Sequence, residues 1–171
     1  MSPLRIAATI LTAAAVPACA SLGALAAAVQ APQFAIAPGQ QAEIRLLGPS
    51  LERPLGGASI RLYAQVTNPN PFSVVLSQLA GNLFLEGSRA AEVSFPLGLP
   101  LPVSGDTVIP LDIAVSFADV PNLADVVTRA VSGDGGIGYE LNGTATLDAG
   151  VLGQPTFGPM TLLDGVLSTR R

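Results

Sequence analysis

The chain lacks the side chains that most enzymes use for acid–base and covalent chemistry. It contains no lysine, histidine or tryptophan, and all eight of its basic residues are arginine. The commonest general base and the amine that forms Schiff bases are therefore absent. No G-x-S-x-G sequence is present to hold a nucleophilic serine. The sequence predicts a protein that is not an enzyme and has no catalytic residues.

Charged residues are also scarce. They make up 12% of the chain, against about a quarter in ordinary globular proteins, while hydrophobic residues make up 49%. This composition excludes intrinsic disorder, which is typical of chains with few apolar and many charged residues. The net charge of −4 offers no basic surface for nucleic acid or for an anionic membrane. A length of 171 residues suits one folded domain.

Candidate ligands for a metal or cofactor are few. With one cysteine and no histidine, a metal ion would have to bind to carboxylates. The aspartates show neither the order of an EF-hand loop nor clustering; they include Asp106, Asp112, Asp119, Asp125 and Asp134. We therefore expect no metal and no cofactor. A pair of carboxylates brought together by folding stays open, from among Glu86, Glu92, Glu140 and Asp148.

The first twenty residues have the pattern of an export signal. Arg5 supplies one positive charge, an apolar run follows at 6–16, and small residues close the segment at 18–20. Residues 1–20 are predicted to be a signal peptide. Residues 21–32 are predicted to be an alanine-rich tether that precedes the domain.

Cys19, the only cysteine, leaves three interpretations of this segment open. Val16-Pro17-Ala18-Cys19 is similar to a bacterial lipobox, in which the cysteine is lipidated and becomes the first mature residue. Ala18-Cys19-Ala20 also fits ordinary signal peptidase, which would remove Cys19 as a small apolar residue of the signal. Ile6–Val29 is 24 residues long without a charge, enough for an uncleaved anchor. We rank lipoprotein first, cleaved secreted protein second and anchor third; all three place the domain outside the cytoplasm.

Alternating apolar and polar residues predict a series of β-strands. In Ser59–Thr67 the apolar residues at 60, 62, 64 and 66 share one face. Similar patterns recur at 42–47, 79–86, 90–97, 107–117, 137–147 and 154–167, and Gly87-Ser88 is predicted to be a hairpin turn. The segment Gly98–Pro102 is too rich in proline for a central strand.

One segment has helical spacing instead. Apolar residues lie at i, i+3, i+4, i+7 and i+8, between a capping Asn122 and a terminating Gly133; they are Leu123, Val126, Val127, Ala130 and Val131. The G-x-G-x-x-G spacing of Gly133–Gly138 therefore follows a helix and precedes a strand, the reverse of a dinucleotide-binding loop. About seven strands and one helix predict an all-β domain, a β-sandwich with an added α-helix.

Two prolines end the strand Ser59–Thr67 at Asn68-Pro69-Asn70-Pro71-Phe72. Neither proline can donate a ladder hydrogen bond, and each favours an extended conformation of the asparagine before it. We interpret Asn68, Pro69 and Asn70 as a structural corner in which the asparagine side chains bind nearby backbone groups. The alternative is a surface on which the amides contact water or a client protein.

This segment and the next resemble the late embryogenesis abundant (LEA) type 2 family, whose unit is the water-stress-and-hypersensitive-response (WHy) domain. The resemblance lies in Leu62–Phe72 and Leu79–Gly87 and extends loosely over Gln33–Leu167. It implies a fibronectin-type-III-like sandwich at 33–171 with a helix between late strands, in a bacterial exported or lipoprotein form. It also implies a non-catalytic protein of the cell envelope that shields client proteins or membranes from aggregation during desiccation, freezing or heat.

A second hypothesis comes from a different class of function. The chain would be a lipid-tethered β-sandwich that serves as a binding module or as an accessory subunit of an envelope complex. An internal cavity between the sheets, lined by Leu83, Phe95, Ile113 and Leu141, would favour it.

Overall fold

The computed structural model describes residues 29–118, 120, 125–126 and 136–167. These residues form two antiparallel sheets that pack face to face as a β-sandwich. The strands are β1 Gln33–Ile36, β2 Glu43–Leu47, β3 Gly57–Thr67, β4 Val74–Leu85, β5 Ser88–Leu101, β6 Asp106–Ser116, β7 Ile137–Asp148 and β8 Thr156–Leu167. The all-β class predicted from the sequence is confirmed. Each of the seven predicted strands is present, and β1 is an additional one.

The first sheet is built around β3. Along one side β3 pairs with the whole of β6, from Gly57 opposite Ser116 to Thr67 opposite Asp106. Along the other side it pairs first with β2, over residues 57–61, and then with β1, over residues 64–67. The second sheet has the order β5-β4-β7-β8. The strand β5 and the strand β8 are therefore its edges.

The core lies between the two sheets, because each strand turns its apolar positions inward. Ile60, Leu62, Ala64 and Val66 of β3 are fully buried, as the alternation of Ser59–Thr67 predicts. From the second sheet, the buried leucines at positions 79, 83, 141 and 147 meet them. Burial of this apolar surface is the main term that stabilises the sandwich.

A tight hairpin joins β4 to β5. Its turn residues are Glu86 and Gly87, with φ values of 48° and 76°. Positive φ at both central positions matches the right-handed twist of paired strands, and glycine adopts it without strain. The hairpin is thus where the sequence predicts it, one residue earlier than Gly87-Ser88.

Prolines lie on the edge strands of the second sheet. Pro96 and Pro100 belong to β5, and Pro159 belongs to β8 after a cis peptide bond with Gly158. A proline cannot donate to a ladder, so it is tolerated on an edge, where one side of the strand has no partner. The expectation that Gly98–Pro102 is no part of a central strand is confirmed, since β5 continues to Leu101 only as an edge.

The predicted helix at 123–131 lies outside the described residues, apart from Asp125 and Val126, which are helical. Elsewhere in the described chain, helix is limited to the short 3-10 turn Gly150–Leu152. Of the predicted tether at 21–32, residues 29–32 are described, and Val29 is 6% exposed and belongs to the core. Packed structure therefore includes Val29, four residues before the predicted domain boundary at Gln33.

Two ends of the sandwich can be distinguished. The proximal end is the one at which residue 29 joins the domain; it carries the loops 68–73, 102–105 and 149–155. The distal end carries the loop 48–56 and the turn 86–87. The eleven residues of β3 run between them, which separates the ends by about 35 Å at the usual strand rise.

Candidate functional site

Asn68 and Asn70 lie at the proximal end, directly after β3, and they are the buried polar residues of the described chain. Their exposed fractions are 1% and 0%. A buried amide is costly unless its donors and acceptors are bonded. The partners of these two side chains therefore decide what the corner does.

The Asn68 side chain joins three segments. Its Nδ2 donates to the carbonyl oxygens of Phe72, at 2.9 Å, and of Pro102, at 3.0 Å. Its Oδ1 accepts from the backbone N–H of Asn70 at 3.0 Å and from the Asn70 Nδ2 at 2.9 Å. The backbone N–H of Asn68 donates to the carbonyl of Gly105 at 3.0 Å. The end of β3 is thereby fixed to the loop 68–73 and to the loop 102–105.

The Asn70 side chain fixes the segment that precedes β1. Its Oδ1 accepts from the backbone N–H of Gln30 at 2.7 Å, and its Nδ2 donates to the carbonyl of Gln30 at 3.1 Å. A single amide thus bonds both backbone groups of one residue, as a neighbouring strand would. Val29, one residue earlier, enters the core.

This geometry is that of a structural connection. The amides of Asn68 and Asn70 are used within the fold and are buried, so they do not form a surface for a client protein. Pro69, between them, is only partly buried. The sequence marks this corner but not its partner Gln30, because a backbone group 40 residues away leaves no local signal.

The outer face of the first sheet carries a cluster of charges around Arg61. Its Nε donates to the Asp112 Oδ1 at 2.6 Å, and its Nη2 donates to Oδ2 at 3.0 Å. This bidentate hydrogen bonding lowers the pKa of the Asp112 carboxyl below its ordinary value and raises the pKa of the Arg61 guanidinium. With Glu43, Arg45 and Ser59 these residues line a recess of about 40 Å³. The pair is exposed and its charges cancel, so it contributes little stability and no net field.

The four carboxylates that folding could have paired are engaged separately. The Glu86 Oε1 accepts from the backbone N–H of Gly138, and the Glu92 Oε2 accepts from Arg89 at 3.0 Å. The Glu140 Oε1 accepts from the Asn142 Nδ2 at 2.8 Å, and the Asp148 Oδ1 accepts from the backbone N–H of Gly150 at 2.8 Å. Among the described residues no group of three or more acidic or cysteine side chains could hold a metal ion. Asp119 and Asp134 lie outside those residues.

The sheet does bring together one carboxylate pair that sequence reasoning missed. Glu140 of β7 and Asp164 of β8 are directly opposite each other in the register and both are exposed. Asp164 also acts on Tyr139, whose hydroxyl has a pKa raised mainly by burial and further by this carboxylate. The pairing depends on a register shift between β7 and β8, which no local pattern of β8 indicates.

A recess of about 420 Å³ opens between the edge strands β5 and β6. Small or charged side chains line it: Arg89, Ala90, Ala91, Glu92, Ala114, Val115, Ser116 and Val120. The residues proposed for an internal cavity lie elsewhere. Leu83, Ile113 and Leu141 are buried members of the core, and Phe95 packs against it while partly exposed.

Apolar side chains are exposed at both ends of the sandwich. At the distal end, Leu51 is 102% exposed and Leu55 67%, next to Leu46 at 53%. At the proximal end, Val151 is 93% exposed and Val103 53%. All but Leu46 stand on loops, which hold them away from the core.

Two sequence features fall outside these sites. Cys19, with the whole predicted signal peptide, lies outside the described residues, as does the first half, 133–135, of the glycine-rich segment 133–138. In the part of the chain that is described, no helix has the length and hydrophobicity needed to cross a membrane.

Known protein structures superpose on this sandwich. A solution structure of an Arabidopsis thaliana protein superposes with a TM-score of 0.53 at 22% identity, and it covers 80% of this chain and 85% of that chain. A protein assigned as late embryogenesis abundant gives a TM-score of 0.49 at 20% identity, over 88% of this chain and 79% of its own. A crystal structure from Archaeoglobus fulgidus gives 0.44 at 14% identity, over 77% and 98%. No curated protein sequence matches the chain. The Arabidopsis structure supports the two-sheet fold.

The family model described as late embryogenesis abundant protein matches residues 63–161. The match begins within β3, includes Asn68-Pro69-Asn70 and ends within β8, so it covers more than half of the chain. The chain therefore belongs to the late embryogenesis abundant type 2 family.

Proposed function

We propose that the protein is a non-catalytic stress protein of the WHy type, which limits the damage that drying, freezing or heat does to other proteins or to membranes. The observation that carries this proposal is the family match over residues 63–161, since LEA-type proteins are stress-related and this family is generally non-enzymatic. Exposed apolar side chains on the surface of the sandwich support the shielding of clients.

The distal end supplies an apolar surface that could cover exposed apolar regions of a damaged protein. Leu51 and Leu55 stand on the loop 48–56, with Leu46 beside it on β2. The loop is held in shape by hydrogen bonds between the backbones of Ser50 and Arg53 in both directions, and by the Ser50 hydroxyl. An apolar tip that is already ordered loses little conformational entropy when it binds.

The edge strands of the second sheet are protected against pairing with strands of other molecules. Pro96, Pro100 and Pro159 lie within these edge strands, and prolines on an edge oppose strand addition. A shield must remain folded and dispersed while its clients aggregate. The proline-bearing edges and the bonded core supply these properties.

For location, we propose export through the leader at 1–20, with lipidation at Cys19 and retention in the cell envelope. The support is the lipobox-like sequence that ends at Cys19. Val29 is packed in the core, so at most nine residues, 20–28, separate Cys19 from the sandwich in the lipidated form. The sandwich, the WHy domain in this proposal, would then lie close to the membrane.

A drying assay tests the shield. A dehydration-sensitive oligomeric enzyme is dried and rehydrated with residues 20–171, or with an equal mass of an inert protein, and its remaining activity is measured. We expect recovered activity at least about twofold above the control at near-stoichiometric ratios. The double variant Leu51→Ser/Leu55→Ser should lose most of this gain, whereas Val103→Ser/Val151→Ser should keep it. Recovered enzyme activity equal to that with the inert protein would contradict the proposal.

A binding module is the second candidate, and the recess between β5 and β6 favours it. Its lining combines small apolar side chains with Arg89 and Glu92, as a site for a small amphiphile would. A module saturates with one partner at low concentration, whereas a shield acts on unrelated clients at rough stoichiometry. Protection that is confined to a single client and saturates at substoichiometric protein would therefore favour the module.

A further inference from the structure

The proximal end carries two exposed valines on rigid loop tips. Val103 lies in the turn 102–105, where the backbone N–H of Gly105 donates to the carbonyl of Pro102 at 3.2 Å. Val151 lies in the 3-10 turn, where Gly153 donates to the Gly150 carbonyl at 3.0 Å. Both turns project beyond the ends of their strands. The valines are therefore held outward by bonded backbone, with exposed fractions of 53% and 93%.

The first described residues, Val29 and Gln30, lie at this same end. Val29 is in the core, and Gln30 is bonded through both backbone groups to the Asn70 side chain. Nine residues, 20–28, separate Cys19 from Val29 in sequence, so the distance between the two is at most about 35 Å when the segment is fully extended. If Ile6–Val29 were instead an uncleaved anchor, its last residue would already be a core residue.

We infer that the proximal end of the sandwich rests on a lipid bilayer, with Val103 and Val151 in the interfacial region. This inference rests on the proposed membrane attachment and names the surface that attachment presents. A tether of this length raises the effective concentration of the bilayer at the proximal end above that at any other surface of the domain. A bilayer can accommodate convex apolar tips, because it deforms around them and needs no matching pocket.

The charges at the proximal end indicate which class of lipid headgroup it would contact. Asp106 and Asp148 begin and end strands here, whereas the described arginines lie at the middle of β3 or toward the distal end; these are Arg45, Arg53, Arg61 and Arg89. A negatively charged end is repelled by anionic headgroups. The surface that fits is a bilayer of zwitterionic lipid.

The alternative orientation would place the distal end in the bilayer. Leu51 and Leu55 are more apolar than the two valines and at least as exposed, taken together. If hydrophobicity alone decided the orientation, the distal loop would enter the bilayer and the proximal end would point away, about 35 Å distant. The two orientations therefore place opposite loops in the lipid.

The absence of tryptophan from the chain makes the test direct. Single tryptophans are introduced in the full chain as Val151→Trp, Val103→Trp and, as the matched control, Leu51→Trp. Each variant is reconstituted in phosphatidylcholine vesicles with or without brominated lipid, which quenches tryptophan inside the bilayer. We expect a blue-shifted emission and at least about threefold stronger quenching for Val151→Trp and Val103→Trp than for Leu51→Trp. Unchanged thermal unfolding shows that each variant folds. If Val103→Trp does not fold, Val151→Trp, at the more exposed of the two valines, still tests the inference.

Two results would overturn the inference, and they can be told apart. Equal quenching at the two ends, or stronger quenching of Leu51→Trp, in protein that sediments with the vesicles would leave membrane attachment standing and reject this orientation. Protein that does not sediment with the vesicles at all would remove the attachment and the orientation together. Neither result bears on the drying assay, which uses residues 20–171 without lipid.

Discussion

Asparagine is suited to the corner after β3 because its side chain both donates and accepts. Asn68 bonds two carbonyls through its Nδ2, while its Oδ1 accepts from Asn70. Asn70 bonds an N–H and a carbonyl of one residue, Gln30. Aspartate could not donate to the carbonyls, and its charge would be buried without a cation. The need for donor and acceptor on one short side chain therefore accounts for both residues.

Replacing Asn70 by alanine should destabilise the protein. The change leaves Gln30 without its side-chain partners and removes a donor to the Asn68 Oδ1. Buried groups left unpaired cost about 1–3 kcal/mol, and urea unfolding of residues 20–171 measures this loss. The control is Gln65→Ala, which removes an exposed side-chain bond to Asp106 and should cost less than about 0.5 kcal/mol. Equal losses in the two variants would show that the corner is not a structural connection.

For single residues, the sequence predicts the corner after β3 but not the groups to which its asparagine side chains bond. Two prolines after an alternating strand mark where β3 ends, and asparagines beside them indicate capping. The partners of the amides are backbone groups of Gln30, Phe72 and Pro102. Backbone groups are chemically alike at every residue, so the sequence does not show which ones meet the amides.

Among the strands, the backbones of β4 and β7 leave no room for a side chain at Gly81 and Gly143. These glycines are direct partners in the register. A Cβ on Gly143 would lie 2.2 Å from the carbonyl oxygen of Ala80, and one on Gly81 would lie 2.1 Å from that of Asn142. Since both obstacles are backbone, the strands would have to separate to admit a side chain.

Gly143→Ala should therefore weaken the second sheet at its centre. Forcing a methyl group against a strand backbone typically costs about 1–3 kcal/mol, which exceeds the small gain that alanine brings by restricting the unfolded chain. Gly48→Ala is the matched control, since no atom lies within 4 Å of the added Cβ. The midpoint of urea unfolding should fall for Gly143→Ala and stay within error for Gly48→Ala. A stable Gly143→Ala variant would mean that the strands can separate without cost.

The strands differ in how well alternation predicts them. β3, β6 and β7 are long, with one face buried and one facing out, so a period of two is clear in their sequences. β1, with four residues of which none is fully buried, has no such pattern. β4 begins at Val74, five residues before its predicted start, and β5 continues through prolines. Strand order and the Glu140–Asp164 pair depend on long-range register, which periodicity does not encode.

For the whole molecule, the main consequence of the structure is that the domain includes residues 29–32. The alanine-rich composition of 21–32 predicts a tether, because it lacks the alternation of a strand. Packing assigns its last residues to the domain instead: Val29 adds apolar surface to the core, and Gln30 bonds to Asn70. In the proposed membrane attachment, this packing shortens the connection between Cys19 and the sandwich, which is the basis for proposing that the proximal end lies on the bilayer.

A chain that begins at Gln33 should be less stable than one that begins at residue 20. It loses the burial of Val29 and the two hydrogen bonds of Gln30, a combined loss of about 2–4 kcal/mol. Urea unfolding followed by circular dichroism measures both chains under the same conditions. If the two chains have the same free energy of unfolding, residues 29–32 are a tether and not part of the domain.

A double-mutant cycle shows whether the stability lost on removing residues 20–32 comes from the bonds between Gln30 and Asn70. Asn70→Ala should cost at least about 1 kcal/mol less in residues 33–171 than in residues 20–171, because Gln30 is already gone from the shorter chain. Gly143→Ala acts at the centre of the second sheet, away from this corner, so its cost should be equal in the two chains. If the cost of Asn70→Ala depends on residues 20–32 and the cost of Gly143→Ala does not, the Asn70 amide is the group that binds the incoming chain. Strictly additive costs for Asn70 would mean that the incoming segment is held by Val29 and not by the amide, and the asparagine corner would then stabilise only its own loops.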